Sequence, residues 1–533
     1  MSEPVWWQTA VIYQIYPRSF QDSNGDGIGD LPGITHSLGY LADLGIDAVW
    51  ISPFYTSPMA DFGYDVADYT DVDPLFGTMA DFDRLLAAAH RLGIRVIVDI
   101  VPNHTSDQHP WFLESRSSTD NAKRDWYIWR DAGPAGSTPN NWLSAFGGPA
   151  WEWDPVTAQY YLHTFVPDQP DLNWRNPAVV EAMHDVYRFW LDRGVDGFRI
   201  DVAHRIMKDP ELRDNPPAPA DRESTFKWMG EYESQLHIHD QGHPDIHDEY
   251  RDLRTIIDSY QPPRVLIGEV HLFELEEWAG YYGRDLGEMH MPFNFTLLYA
   301  PWTAGEVRKR VDDLEAALPP GAWPNYVLGN HDEPRLATRF GAHATRVAAM
   351  LLLTLRGTPT LYYGDELGME QVPIKNQQDP WAVREPELGR DGCRTPMQWD
   401  SSTSAGFSAA DPAQLWLPLE AEHADRNVAV QTDRPDSLLT LYHRLLALRR
   451  SMPALHRGDY TPVNSTSEDL FVFERSSGDE RACIVLNFND RPIRFDHEGF
   501  ADAEPVLSTT LRRVAISGSA VSLAPHEGVI VRL

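Results

Sequence analysis

Cysteine is nearly missing from this chain: 533 residues carry two, Cys393 and Cys483. One disulfide is arithmetically possible, but a small scaffold stapled by several bridges is excluded. Positive charge is also scarce. Lys and Arg together number 45 against 79 Asp and Glu, a net charge of −34. Such a surface repels phosphate backbones and anionic membranes, so neither nucleic acid nor a membrane is an expected partner. Long hydrophobic runs are lacking too, since the longest, near Val347–Leu355, is too short to span a bilayer. Met1-Ser2-Glu3-Pro4 has neither the basic region nor the apolar core of a secretory leader, which predicts a cytoplasmic protein, monomer or homodimer. No internal repeat or low-complexity segment stands out.

What is present looks globular. Hydrophobic residues make up 42% and charged residues 23%, which excludes a disordered or fibrous chain. Aromatics are 11%, 18 of them Trp, and their broad faces suit the apolar faces of sugar rings. The length predicts about two to four domains, fewer if one is an α/β barrel.

Eight short apolar runs recur as strand candidates: Val11–Tyr16, Ala48–Ser52, Val96–Val101, Gly197–Asp201, Val265–Val270, Pro292–Phe295, Tyr326–Leu328 and Thr360–Tyr363. Runs such as Val96–Val101 suit strands buried on both faces, as in a parallel sheet. Amphipathic helical patterns alternate with them, for example Val179 to Leu191 before Gly194 and Asp81 to Leu92 before Gly93. This alternation predicts an α/β protein built on a (β/α)8 barrel. A doubly wound sheet would want a glycine-rich turn after the first strand, where Pro17-Arg18-Ser19-Phe20 stands instead. The stretch after the third strand is too long for a structureless loop, so 104–171 is expected to be an inserted subdomain. The barrel is then expected over 1–103 and 172–452, with an irregular insertion about 370–427, and a C-terminal antiparallel β-sandwich over 453–533.

In such a barrel the reacting groups sit at the C-terminal ends of strands. Asp201, Glu269 and Asp332 all fall there and would ring one mouth. Crowded carboxylates repel, so one is expected to hold a proton near neutrality while another stays anionic. That pairing is what cleavage of a glycosidic bond requires. Arg199, on the same strand face as Asp201, is expected to keep that carboxylate anionic, and His104 and His331 to donate to sugar hydroxyls. For Asp99 a structural ion pair and a functional role are equally expected.

The segments DIVPNH (99–104), GFRIDVAH (197–204), GEV (268–270) and NHD (330–332) resemble glycoside hydrolase family 13, the α-amylase family. QPDLN (169–173), YQIYPRSF (13–20) and GTPTLYYGDELG (357–368) match it as well. The resemblance implies a retaining mechanism with Asp201 as nucleophile, Glu269 as general acid/base and Asp332 as transition-state stabiliser. DFGYD (61–65) and GRDGCRTPMQW (389–399) are similar to the α-glucosidase and oligo-1,6-glucosidase group. There the equivalents of Asp61 and Arg394 hold the terminal glucose, and that of Tyr64 stacks on its ring. The implied activity is exo-acting release of glucose from short α-glucosides, with transglucosylation or isomerisation at the same site as the alternative. A non-catalytic, transporter-associated relative is a remote third reading, disfavoured by the three retained acids. Two departures bear on specificity. Val202 follows the nucleophile, where Val accompanies α-1,6 activity, but Ala203-His204 does not match the oligo-1,6-glucosidases. Glu333 stands where many relatives carry Gln, either as an acid beside the acceptor subsite or as a solvated loop acid.

Asp22-Ser23-Asn24-Gly25-Asp26-Gly27-Ile28-Gly29-Asp30 sets oxygen side chains at alternate positions, like the start of an EF-hand, with Gly33 where its last ligand would be. The resemblance implies a structural Ca²⁺ or Mg²⁺ on Asp22, Asn24, Asp26, the Ile28 carbonyl and Asp30, and no organic cofactor. Cys393 is read as a spectator, because no activating base surrounds it.

Overall fold

A computed structural model describes residues 4–219, 228–465 and 467–533; the first three residues of the N-terminal segment discussed above lie outside it. All eight expected strands form. They are β1 (Ile12–Ile15), β2 (Ala48–Ile51), β3 (Arg95–Ile100), β4 (Gly197–Ile200), β5 (Val265–Gly268), β6 (Met291–Asn294), β7 (Asn325–Tyr326) and β8 (Thr360–Tyr362). Each pairs in parallel with its sequence neighbour, β8 also pairs with β1, and a parallel bridge from Val327 to Thr360 closes β7 onto β8. The chain is therefore a (β/α)8 barrel. The period-2 pleat divides its side chains. Ile12, Trp50, Ile97, Ile267, Met291 and Phe293 fill the interior. Tyr13, Val49, Val98, Phe198 and Leu266 face outward into the helix layer.

Local chemistry sets the helix ends. Asp30 caps Leu31–Leu44 through the Gly33 N–H, and Thr78 with Asp81 forms a capping box at Met79–Arg91. The helix Pro177–Arg193 stops at Gly194, whose φ of 106° costs a Cβ-free residue little. Three residues on, a Cβ at Gly197 would lie 2.4 Å from the Val265 carbonyl oxygen. Glycine there lets β4 and β5 approach.

Two long excursions leave the barrel before its helices resume. The first follows β3 and contains an antiparallel sheet of Trp129–Arg130, Gln159–Leu162 and Trp151–Asp154 around Trp142 and Trp151. The second follows β4 and was not anticipated. Between Asp201 and the helix Ile246–Asp258 the chain makes short 3-10 turns, including Ala203–Arg205 and Gly230–Ser234. Its Pro- and Asp-rich residues carry no apolar period, so nothing in them signals a wall.

After the helix Leu438–Ser451, a five-stranded antiparallel sheet packs against a three-stranded one around Val472, Val485, Phe495, Val521 and Val529. The outer face of the larger sheet, with Phe471, Phe473 and Ile484, joins the barrel's helix layer. Two buried arginines clamp this junction through carbonyl oxygens. Arg449 donates to Leu353, Leu455 and Gly357, and Arg475 to Thr354, Leu455 and Gly458. Burial lowers Arg449 to about 10 and Arg475 to about 9. Replacing Arg475 with Met removes the guanidinium from the Thr354 and Gly458 carbonyls and leaves Leu455 to Arg449 alone, and is expected to cost about 2–4 kcal/mol of stability, read by denaturant unfolding. An unchanged midpoint would show that water reaches the junction.

Candidate active site

Asp201 and Glu269 each stand one residue beyond their strands, β4 and β5, and Asp332 lies in the loop after β7. The three line one cavity of about 600 Å³ with Asp61, Tyr64, His104 and His331. Sequence positions scattered over most of the chain thus converge on the barrel mouth.

One guanidinium organises the acids. Arg199 Nη1 donates to Asp99 Oδ1 (2.9 Å), Asp99 Oδ2 (3.0 Å) and Asp201 Oδ1 (2.9 Å). Its Nη2 donates to Glu269 Oε2. The cation rests 4.9 Å from the Trp50 ring centroid, on an aromatic floor supplied by β2. Asp99 is fully buried and accepts from the Trp50 indole as well. It does not line the cavity. Of its two expected roles the structural ion pair is the one observed.

The backbone adds a second donor. Val202 has φ 35°, a left-handed conformation that a β-branched residue adopts only under constraint. In that conformation its N–H reaches Glu269 Oε2 at 3.0 Å. His271 Nε2 lies 2.8 Å from Glu269 Oε1. Crowding and burial act unequally on the two acids. Burial raises Asp201 well above the carboxylate range, and Glu269, Asp99 and Asp332 reinforce the rise. Burial also pushes Glu269 up, but Arg199 and then His271 outweigh it and hold that carboxyl low. The reason is the division of donors: Asp201 shares one arm of Arg199 with Asp99, while Glu269 receives the other arm, an amide and an imidazole. Arg199 does pull the Asp201 carboxyl toward its anionic form, as expected, but burial outweighs it.

A relay runs across the floor. Gln14 donates to His331 Nδ1 (2.7 Å), the Nε2–H of His331 donates to the Tyr64 hydroxyl (2.7 Å), and that hydroxyl donates to Asp99 Oδ2 (3.1 Å). Burial lowers His331 to about 3 and His104 to about 4, so both are neutral donors at physiological pH. Tyr64 stacks on His331 at 5.3 Å and 4°.

Asp61 and Arg394, expected together at the terminal sugar, stand differently in the site. Arg390, not Arg394, donates to Asp61 Oδ1 (2.7 Å) and also to Asp332 Oδ1 (3.1 Å), and it lines the cavity. Arg394 is fully buried behind it and donates to the His331 carbonyl (2.8 Å) and Asp332 Oδ1 (3.0 Å). The two arginines flank one short turn, Asp391–Cys393, and sequence does not tell which faces inward. Glu333 is neither a solvated acid nor on the cavity. It is buried and accepts from the Tyr299 hydroxyl at 3.0 Å. The Cys393 thiol, pushed to about 12 by burial, is a spectator as expected. The walls that sequence reading missed are Phe146, Phe165 and Gln169 from the first excursion, and Arg205, Tyr232 and Ile238 from the second.

The side chains of the oxygen-rich loop accept mainly from the loop's own amides. Asp22 Oδ1 accepts from the amides of Asn24 (3.0 Å) and Gly25 (2.7 Å), and Oδ2 from Gly27 (2.8 Å) and the Ser408 hydroxyl (2.5 Å). Asn24 and Asp26 accept from the amides of Asp26 and Ile28, and Asp30 caps the following helix. Among the described residues no group of three or more His, Cys, Asp or Glu side chains is arranged to hold a metal ion. The donor chemistry, all oxygen, fits a hard cation, but the loop's own amides occupy the carboxylates here.

Residues 14–458 match the family model described as alpha amylase, catalytic domain. The chain is 49% identical over 501 residues to a probable alpha-glucosidase of Rhizobium meliloti, covering 91% of this chain and 90% of that one. It is 37% identical over 574 residues to an oligo-1,6-glucosidase of Parageobacillus thermoglucosidasius, covering 100% and 99%. Among solved structures it superimposes on an alpha-glucosyl transfer enzyme, XgtA, with a TM-score of 0.94 and 44% identity, covering 99% and 100%. A trehalulose synthase, MutB, follows with a TM-score of 0.90 and 36% identity, covering 99% and 100%.

The raised Asp201 has a thermodynamic signature. A carboxyl whose folded pKa is raised loses stability as pH climbs from its unfolded pKa through its folded one. Asn mimics the protonated form at every pH. Asp201→Asn is therefore expected to match the parent Tm near pH 4 and exceed it increasingly toward pH 8 in calorimetric scans. A constant difference across that range would contradict the shift.

Proposed function

The chain belongs to the α-amylase family, and from that membership we propose that it is a retaining, exo-acting α-glucosidase that releases terminal glucose from short α-glucosides. Asp201 is the nucleophile, Glu269 the general acid/base and Asp332 the transition-state stabiliser. The observation that carries this reading is that Asp201 and Glu269 share the two arms of Arg199 at the mouth of one cavity. An ion pair between Asp61 and Arg390 supports exo action, because a carboxylate and a guanidinium fork can bind adjacent hydroxyls of a terminal sugar. Tyr64, His104 and His331 complete the sugar subsite, and Arg394 positions His331 and Asp332 from behind. The relatives' names, alpha-glucosidase and oligo-1,6-glucosidase, agree with this chemistry.

In the first step Glu269 gives its proton to the glycosidic oxygen as the C1–O bond breaks and Asp201 bonds to C1. In the second, Glu269 takes a proton from water as the new C1–O bond forms and Asp201 leaves.

Transfer of glucose to a non-water acceptor is the second reading. Met229, Leu236, Ile238, Leu272 and Phe273 line part of the cavity and favour an acceptor with an apolar surface over water. The likeness to a glucosyl transfer enzyme and a trehalulose synthase supports it.

We also propose the division into a barrel over 1–103 and 172–452, an inserted domain over 104–171 and a C-terminal domain over 453–533. A hard cation, Ca²⁺ or Mg²⁺, on Asp22, Asn24, Asp26, the Ile28 carbonyl and Asp30 remains part of the proposal. Two free, buried thiols favour a reducing cytoplasm, for a monomer or homodimer. Among the described residues no helix is long and apolar enough to cross a membrane.

Product analysis on maltose, isomaltose, sucrose and trehalose, with the first-formed anomer resolved by NMR, tests the main reading. Release of α-glucose supports it, whereas β-glucose overturns the retaining mechanism and isomeric disaccharides favour transfer. Asp201→Asn is expected to lower turnover about 10⁴-fold or more, and Glu269→Gln about 10²–10⁴-fold. Dialysis against a chelator is expected to lower the Tm, with recovery on adding Ca²⁺. An identical melt by protein free of metal in elemental analysis would remove the cation from the proposal.

A further inference from the structure

Among the described residues, His271 is the cavity-lining side chain hydrogen-bonded to the outer oxygen of the general acid/base. Glu269 Oε2 faces inward to Arg199 and the Val202 N–H. Oε1, the oxygen left to meet a leaving group, has His271 Nε2 at 2.8 Å. The imidazole is held in place. It stacks on Phe295 at 4.3 Å and 9° and sits edge-on to Phe273 at 6.3 Å. Its side chain is 27% exposed and opens to the cavity. Of the titratable groups facing it, Glu269 is in contact and His204 lies 6.1 Å away, ring to ring. Burial holds His204 well below the imidazole range, so it is no competing cation. Glu274 and Glu277 line the same opening.

We propose that His271 is a positioning residue for the general acid/base, its Nε2–H holding Glu269 Oε1 toward the leaving-group oxygen and stabilising the carboxylate formed when the proton departs. The inference rests on the glycosidase reading above. In the glucosylation step the proton on Oε1 moves to the glycosidic oxygen, the C1–O electron pair goes to that oxygen, and an Asp201 oxygen bonds C1. Glu269 is left anionic and accepts the His271 N–H. Water returns the proton to Glu269 in the second step, so atoms and charge balance and His271 ends as it began.

A donor that favours the carboxylate makes Glu269 a stronger acid, which matters for leaving groups that need a proton and not for those that leave as stable anions. The test compares kcat/KM of wild type, His271→Phe and His271→Gln on two substrates. One is whichever disaccharide the wild type cleaves; the other is 2,4-dinitrophenyl α-glucoside. His271→Phe is expected to lose about 10–100-fold on the disaccharide, the scale of a lost outer-shell contact, and to stay near wild type on the aryl glucoside. The reaction needs Glu269 protonated, so its rate falls as pH rises through that pKa. Removing the donor raises the pKa, and the basic limb of the kcat/KM profile should move to higher pH. His271→Gln, which can still donate, should recover most of both effects. Equal losses on both substrates, or an unmoved basic limb, would overturn the role. If His271→Phe fails to fold by circular dichroism, His271→Asn, whose shorter side chain withdraws the donor, takes its place with the same two outcomes. A wild type inactive on both substrates would instead sink the glycosidase reading itself.

Discussion

The cation of Arg199 is the constraint on which the site depends. Three carboxylates, Asp99, Asp201 and Glu269, surround it in a nearly water-free floor. Without a buried positive charge, that many anions could not share so small a volume. With only one, they cannot all be fully ionised. The site is therefore short of positive charge by design of its residues, and a proton has to reside somewhere among the acids. The sharing is uneven: two competitors on one arm of the guanidinium, one on the other.

The fold delivers this cluster by simple means. Parallel strands bring their C-terminal ends to one rim, and the pleat decides which side chains face the axis. Trp50, an interior residue of β2, is both core and platform, filling the barrel below and meeting the cation above. Beyond the rim, regular structure gives way. The excursions after β3 and β4 supply walls, and the segment after β8 supplies Arg390. Chemistry sits on the rigid frame, and the shape of the cavity on the irregular segments.

Much of this was legible in sequence. The eight strands announce themselves as short, apolar, β-branched runs, and each forms within a few residues of its expected place. Asp201 and Glu269 were legible because they stand at the ends of such runs, and Asp332 because it follows one closely. Other parts were not. The wall after β4 has no periodicity to read. Arg390 and Arg394 are four apart on one turn, and only the packing of His331 against Arg394 shows which is buried. The donors that set Glu269 apart from Asp201 include a backbone amide from the left-handed Val202 and the His271 imidazole, neither of which a motif encodes.

The pairing of Asp61 with Arg390 spans most of the chain, and barrel closure itself waits on Val327 meeting Thr360. A ribosome must therefore make nearly the whole barrel, together with the segment after it, before the far end of the sugar site can exist. A chain that ends between Asp332 and Arg390 holds all three acids of the barrel mouth but lacks the ion pair that lines the cavity beside them.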